Sequence, residues 1–340
     1  MRTASVRRYA ANLIDKNFGS SLSRPAYVDL IITKKCNFRC GHCDTWKSSD
    51  TYQMPPERWS GLLAQISQAW PEALVEISGG EPLIEKYLSL KIANLGSRLS
   101  LVMSLNTNGA LINEQMAADI LHSGLANVKV SLYSLDESIH DKLRGVSGAG
   151  DKAKEAILHL KDKNRNNEIK IEVGMLLTGL NIEGINDLAG YCQENNFDLI
   201  IQPLDFNLER PYQENWQTSS ELWPTKEQVE KYLKPLIKNK PRVIKNPPFY
   251  FKLIYQYYFD PKSLQKRQCL APYNNLIIEP NGDAKLCFRG QKIGNLGENN
   301  IKEIWQSKEA KGERQRLRFC QKSCKIIGCN MRRQIRDFFC

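Results

Sequence analysis

The stretch Ile32-Thr33-Lys34-Lys35-Cys36-Asn37-Phe38-Arg39-Cys40-Gly41-His42-Cys43 places three cysteines within eight residues, directly after a strand-like run. The spacing is Cys-x3-Cys-x2-Cys, with no fourth cysteine nearby. Thiolates are soft ligands that select iron–sulfur clusters, zinc or copper(I). A cubane cluster has four irons, so three protein thiolates leave one iron open to bind something else. A closed four-cysteine site stores electrons or holds a fold; a three-cysteine site can bind and activate a substrate. Two plainer readings compete. Zinc could take the three cysteines with His42, or the cysteines could be buried without ligating anything.

A second set of residues separates these readings. After a helix-like segment at 55–70 comes a strand candidate, Leu74-Val75-Glu76-Ile77-Ser78, followed by Gly79-Gly80-Glu81-Pro82. Two glycines at the carboxyl end of a strand let backbone come close to a ligand and present its polar groups. Alone they would also suit an ordinary strand-to-helix turn. Two later strand candidates end in polar residues: Leu101–Leu105 runs into Asn106-Thr107-Asn108-Gly109, and Asn127–Leu132 contains Ser131 and precedes Tyr133-Ser134. His140-Asp141-Lys142-Leu143-Arg144-Gly145 follows.

Together, the cysteine spacing, with the aromatic Phe38 ahead of the middle cysteine, and the Gly-Gly-Glu-Pro segment resemble the radical S-adenosylmethionine (SAM) superfamily. The resemblance implies a catalytic 4Fe-4S cluster on Cys36, Cys40 and Cys43, whose open iron chelates the amino and carboxylate groups of SAM. One electron then splits SAM into methionine and a 5'-deoxyadenosyl radical. It further implies cofactor contacts from Gly79, Gly80 and Glu81 to the SAM amino group, from Asn108 and Ser131 to ribose or carboxylate, and from Arg144 to the carboxylate. A reductant such as flavodoxin or ferredoxin is implied as a partner. Tyr133 departs from the pattern, since an Asp often follows the Ser-hydrophobic pair.

Periodicity explains how these motifs could meet. Strand-like runs at 26–33, 73–78, 101–105, 127–132, 169–176 and 198–203 alternate with helix-like segments. Trp59, Leu62, Leu63, Ile66 and Trp70 share one helical stripe. In 113–124, Asn113 can cap the start and Gly124 can close the end. Ala153, Ala156, Ile157 and Leu160 repeat the stripe, as do Ile182, Ile185, Leu188, Ala189 and Cys192, which makes Cys192 a core residue. Alternation of this kind means right-handed crossovers and a parallel sheet that binds ligands at the carboxyl ends of its strands. The expected architecture is α/β: an extension at 1–25, then a partial (β/α)6 TIM-like barrel at 26–240, open on one side.

Composition changes near Pro241. An aromatic segment, Phe249 to Phe259, has helical length and could pack across the barrel mouth. Cys269 and Cys287 flank two apolar runs around Asn281-Gly282, which read as a β-hairpin bringing the cysteines together. Cys320, Cys324, Cys329 and Cys340 follow. This string resembles the auxiliary-cluster domain called SPASM, or its shortened form Twitch. The resemblance implies a small α+β cysteine-rich domain at 241–340 holding at least one auxiliary 4Fe-4S cluster. Cys269, Cys287, Cys320 and Cys324 are the favoured ligands, with Cys329 and Cys340 either a partial second site or free thiols. Grouping Cys320, Cys324, Cys329 and Cys340 is the alternative.

No stretch reaches the ~18 apolar residues of a membrane span, and no secretory signal is visible. Ten cysteines without such a signal point to reduced thiols in the cytoplasm. The net charge is +11, and residues 301–340 hold 11 Lys/Arg against 4 Asp/Glu. Basic runs can mark nucleic-acid binding, but around proposed thiolate ligands they are more simply counter-charges to an anionic cluster. Nucleic acid and membrane are therefore disfavoured as partners, and the zinc-bound nucleic-acid-binding module is the alternative from another class. Within the radical SAM reading, the expectation is hydrogen abstraction from a small molecule (a sugar, aminocyclitol or nucleotide-linked intermediate) in natural-product or cofactor biosynthesis. The alternative is epimerisation or cross-linking of a ribosomally made peptide. The short segment before the first strand tilts the expectation to the small molecule, because peptide-modifying relatives often carry an N-terminal recognition domain.

Overall fold

Of the 340 residues, the computed structural model describes 10–12, 14–15, 22–49, 52–206, 210–265, 267 and 269–324, with only the backbone of 218 and 219. Six strands alternate with helices as expected: β1 (Tyr27–Thr33), β2 (Leu74–Gly79), β3 (Val102–Thr107), β4 (Asn127–Ser131), β5 (Lys170–Leu177) and β6 (Asp198–Pro203). Each pairs in parallel with the next in sequence. Strand side chains alternate between faces. Val28, Leu30 and Ile32 of β1 are completely buried against the helical layer. The opposite face carries polar groups: Tyr27 donates to Glu76 Oε1 (2.6 Å), Lys129 donates to Glu76 Oε2 (3.2 Å), and Ser78 donates to Asp29. The partial barrel thus has an apolar outer face and a polar inner one.

The helices are held by the signals that predict them. α1 (Pro56–Ala69) buries Trp59, Leu62, Leu63 and Ile66. α2 (Lys86–Arg98) connects β2 to β3. In α3 (Glu114–His122), the Asn113 side chain accepts from the Met116 N–H at 2.9 Å, and Gly124 follows at φ +81°. α4 (Glu137–Arg144) starts on an Asp136 cap and ends at Gly145, φ +67°. α5 (Ala149–Lys163) and α6 (Ile185–Glu194) bury the expected stripes. Cys192 is completely buried in α6, and burial pushes its thiol up to about 12.

The aromatic segment forms α7 (Pro248–Phe259), with six buried side chains. It packs beside the end of β6: Tyr257 OH donates to the Leu204 carbonyl (2.9 Å), and the Leu204 N–H donates to Tyr258 OH (2.8 Å). The expected hairpin is present as β7 (Asn275–Ile278) and β8 (Asp283–Lys285), turning through Gly282 at φ +85°, and β9 (Lys292–Asn295) extends it. β7 also pairs in parallel with β1, Tyr27 opposite Asn275 and Leu30 opposite Ile278. The order β6-β5-β4-β3-β2-β1-β7-β8-β9 is therefore one nine-stranded sheet. α8 (Ile301–Gln306) and α9 (Lys308–Arg318) follow, and Trp305 meets Trp70 edge-on at 5.7 Å. No helix among the described residues is long and apolar enough to cross a membrane.

Candidate functional site

The cysteine loop leaves the carboxyl end of β1, and the Gly79–Gly80 corner leaves the neighbouring end of β2. The Gly80 N–H donates to the Thr33 carbonyl (2.9 Å) and the Glu81 N–H to the Lys35 carbonyl (2.8 Å). A Cβ on Gly80 would lie 2.3 Å from the Lys35 oxygen, and one on Gly79, at φ +141°, 2.2 Å from the Thr33 oxygen. The close approach that these glycines permit is thus to the chain entering the cysteine loop. Glu81 is fully buried, with Oε1 accepting from Thr107 Oγ1 (2.7 Å) and the Leu83 N–H (3.0 Å), and Oε2 from the Asn108 N–H (2.7 Å). Burial pushes its carboxyl above the usual carboxylate range, and these donors offset only part of that rise. Glu81 therefore ties the end of β2 to that of β3.

From β3 the Asn108 side chain donates to Asn37 Oδ1 at 2.7 Å, joining this strand end to the cysteine loop itself. On the far side, Gly145 packs so tightly under the loop that a Cβ would come within 2.2 Å of the Arg39 oxygen. The Arg144 and Leu143 carbonyls accept from the Arg39 and Gly41 N–H groups (3.2 and 3.3 Å). Arg144 is buried, its guanidinium 5.1 Å from the Phe38 ring centre and 4.8 Å from that of Tyr133. Its Nη1 donates to the Tyr133 hydroxyl at 2.7 Å. That phenol also feels the Ser131 hydroxyl at the end of β4. The structure therefore brings Cys36, Cys40, Cys43, Gly79, Gly80, Glu81, Asn108, Ser131 and Arg144 together at one end of the sheet.

The sequence reading passed over Asn37 and Thr107, which carry part of this wiring. Both lie inside segments it quoted, and a polar residue at a strand end was the available signal. Tyr133, flagged as a departure, has a defined part: it braces Arg144, its N–H donates to His140 Nδ1 (3.0 Å), and its carbonyl accepts from Asn181 Nδ2 (2.8 Å).

The three cysteines form no disulfide. Burial pushes Cys36 up to about 11 and Cys40 upward, against the pull of Arg144 on both. Thiols so placed ionise only when a compensating cation arrives, as metal coordination provides. An iron–sulfur cluster fits this donor set. The zinc alternative requires His42 to join the three thiols on one ion. His42 instead turns its ring toward Tyr133 (5.7 Å between centres), and burial holds it neutral, its pKa lowered to about 3.

A second thiol group lies past β8. Burial pushes Cys287 up to about 12, and Cys269 and Cys320 act on it electrostatically. Cys287 and Cys324 both act on the guanidinium of Arg289. The favoured set of Cys269, Cys287, Cys320 and Cys324 is thus gathered around one neighbourhood. Cys329 and Cys340 lie outside the described residues.

A family profile described as the radical SAM superfamily matches residues 30–192, and one for the SPASM iron–sulfur cluster-binding domain matches residues 269–330. The chain belongs to the radical SAM superfamily and carries a C-terminal SPASM domain. It is 30% identical over 178 residues to a protein named probable GTP 3',8-cyclase of Methanocaldococcus jannaschii, covering 52% of this chain and 57% of that one. The chain thus spans little more than half the length of that relative. It is 21% identical over 296 residues to the PqqA peptide cyclase of Bradyrhizobium diazoefficiens, covering 84% of this chain and 74% of that one. Among solved structures, SuiB of Streptococcus suis bound to S-adenosylmethionine superposes with a TM-score of 0.66 at 20% identity, over 96% of this chain and 75% of that one. The protein anSMEcpe with bound AdoMet gives 0.64 at 18% identity, over 85% and 82%. These likenesses are to the fold.

Proposed function

We propose that the protein is a radical SAM enzyme that holds its catalytic 4Fe-4S cluster on Cys36, Cys40 and Cys43, and abstracts a hydrogen atom from a peptide substrate. The carrying observation is that one loop bearing the thiols of Cys36, Cys40 and Cys43 is held by the glycine corner, Asn108 and Arg144 at the ends of β1 to β4, beside Ser131. When bound, such a cluster supplies one electron for cleaving SAM to methionine and a 5'-deoxyadenosyl radical, which takes the hydrogen atom.

The chain's own residues do the positioning. Glu81, Thr107 and Asn37–Asn108 fix the cysteine loop against the strand ends. Arg144, buried between two rings, offers a fixed cation for the SAM carboxylate, a charge-assisted contact worth roughly 1.5–3 kcal/mol. Cys269, Cys287, Cys320 and Cys324 are proposed to hold an auxiliary cluster, which would position substrate or accept the electron left after hydrogen abstraction. A one-electron donor of the flavodoxin or ferredoxin kind completes the system.

The earlier tilt to a small molecule rested on the segment before β1. The peptide reading is favoured instead because the PqqA peptide cyclase match runs through both the barrel and the C-terminal region. The higher identity to a GTP 3',8-cyclase over 178 residues supports a nucleotide-like substrate as the second reading. The test of the class is anaerobic reconstitution with dithionite and SAM. The wild type should form methionine and 5'-deoxyadenosine in equal amounts, and the Cys36→Ala/Cys40→Ala/Cys43→Ala variant none. SAM cleavage by that variant would refute the assignment. Mass spectrometry of candidate precursor peptides and of nucleotides after the reaction separates the two substrate readings.

A further inference from the structure

Arg289 lies two residues beyond Cys287 and is one of the most enclosed cations of the C-terminal half, its side chain only 6% exposed. The turn that carries it is built on the cysteine. The Gly290 N–H donates to the Cys287 carbonyl (2.8 Å), and the Arg289 N–H points at Cys287 Sγ (3.4 Å). The guanidinium leaves this turn toward the barrel. Nη2 donates to Asp205 Oδ2 (2.9 Å) and to the Phe206 carbonyl, just beyond the end of β6. The planar head lies 5.7 Å from the Phe206 ring centre and 5.2 Å from that of Tyr212. Cys287 and Cys324 act on the same charge.

A buried ion pair is a poor source of stability, because desolvating both charges offsets most of their attraction. Arg289 and Asp205 alone therefore give little reason for enclosing a guanidinium among thiols. Adding an anionic cluster supplies one: reduction adds one electron to a cluster and no proton, so its negative charge rises by one. A fixed cation nearby favours the reduced form, and a carboxylate behind that cation weakens the effect. Charges and hydrogen bonds next to ligand sulfurs are the ordinary levers on cluster potentials.

We propose that Arg289 sets the reduction potential of a cluster bound at Cys269, Cys287, Cys320 and Cys324, holding it more positive than the thiolates alone would, with Asp205 as the opposing charge that couples this setting to the β6 end of the barrel. The inference rests on the auxiliary-cluster reading given above. Arg289 is a positioning residue here, acting through the cluster rather than on substrate.

The experiment uses the full chain with Cys36, Cys40 and Cys43 changed to Ala, so that a single cluster remains to be seen. Iron is quantified, and the midpoint is read from the electron paramagnetic resonance signal during dithionite titration. Against this background, Arg289→Gln should bind the same iron and shift the midpoint negative. Arg289→Lys should return it toward the parent value, and Asp205→Asn should shift it positive. Equal iron with an unmoved midpoint in Arg289→Gln overturns the proposal. Loss of the cluster in Arg289→Gln but not in Arg289→Lys supports it, because charge is what was removed. Equal loss in both overturns it, since shape alone would then be what the residue supplies. A parent protein without iron overturns the auxiliary-cluster reading itself, and the proposal with it.

Discussion

At the scale of single residues, one of the tight constraints on the cysteine loop is the absence of a side chain at Gly80. A methyl there would lie 2.3 Å from the Lys35 oxygen and 2.7 Å from the Lys34 oxygen. Both are backbone atoms of the chain that feeds the cysteine loop, so neither can swing aside as a side chain could. Gly80→Ala should cost roughly 1–3 kcal/mol, the range of overpacked sites. Relief would come from moving the loop, because its rigid attachment is the Gly80 N–H···O=C Thr33 bond. The expected result is a folded protein with a lowered melting temperature that fails to retain iron on Cys36, Cys40 and Cys43 and keeps its auxiliary iron. Full iron and an unchanged melting temperature would show that the loop is not braced on this corner. The two glycines were legible as a close-approach site in the sequence. What they approach was not, because the contact joins two strand ends whose adjacency depends on the sheet.

At the scale of elements, each functional side chain is delivered by the termination of a strand or helix. β1 ends into the cysteine loop and β3 into Asn108, while α4 stops at Gly145 and so leaves Arg144 beneath Arg39. The hairpin of β7 and β8 ends into Cys287. The six barrel strands and the helical stripes were readable because apolar runs and 3.6-residue periodicity are local properties. Two things were not. The inner face of the barrel is polar, and its contacts, such as Tyr27 and Lys129 with Glu76, join separate strands and so leave no local pattern. The parallel pairing of β7 with β1 joins residues some 250 positions apart, and no local pattern encodes it. The hairpin makes a sharp prediction about iron. Cys269→Ala or Cys287→Ala should remove about one cluster, on the order of four irons, and abolish substrate turnover while SAM cleavage persists. Cys192→Ala, in the α6 core, should keep all iron and lose about 1 kcal/mol of stability. Iron analysis of the three variants decides the matter, and a Cys269→Ala protein with full iron and full turnover would make the C-terminal thiols structural.

At the scale of the whole molecule, β1 is the seam, paired with β2 on the barrel side and with β7 on the other. Asp29 sits on this seam with its carboxyl pushed up to about 8 by burial and then by Glu76, with Glu279, beyond the end of β7, adding to the rise. The Ser78 hydroxyl and the Lys129 ammonium pull the other way and do not win. The folded protein therefore keeps a proton on Asp29 that an unfolded chain gives up near its ordinary value of 3.8. Because the folded state binds the extra proton, the stabilisation this group contributes is complete below about pH 4 and is lost as pH rises to about 8. Asparagine resembles the protonated acid: it can accept from Ser78 and carries no charge to desolvate. Asp29→Asn should therefore match the wild type at low pH, gain on it steadily between about pH 5 and 8, and hold a constant lead above that, on the order of a few kcal/mol at most. Urea unfolding of both proteins at several pH values, followed by circular dichroism, measures the difference. Parallel stability curves would mean that Asp29 is ionised in the folded protein. In that case the inner face of the barrel would carry a negative charge at neutral pH despite the burial and the neighbouring Glu76 that oppose it.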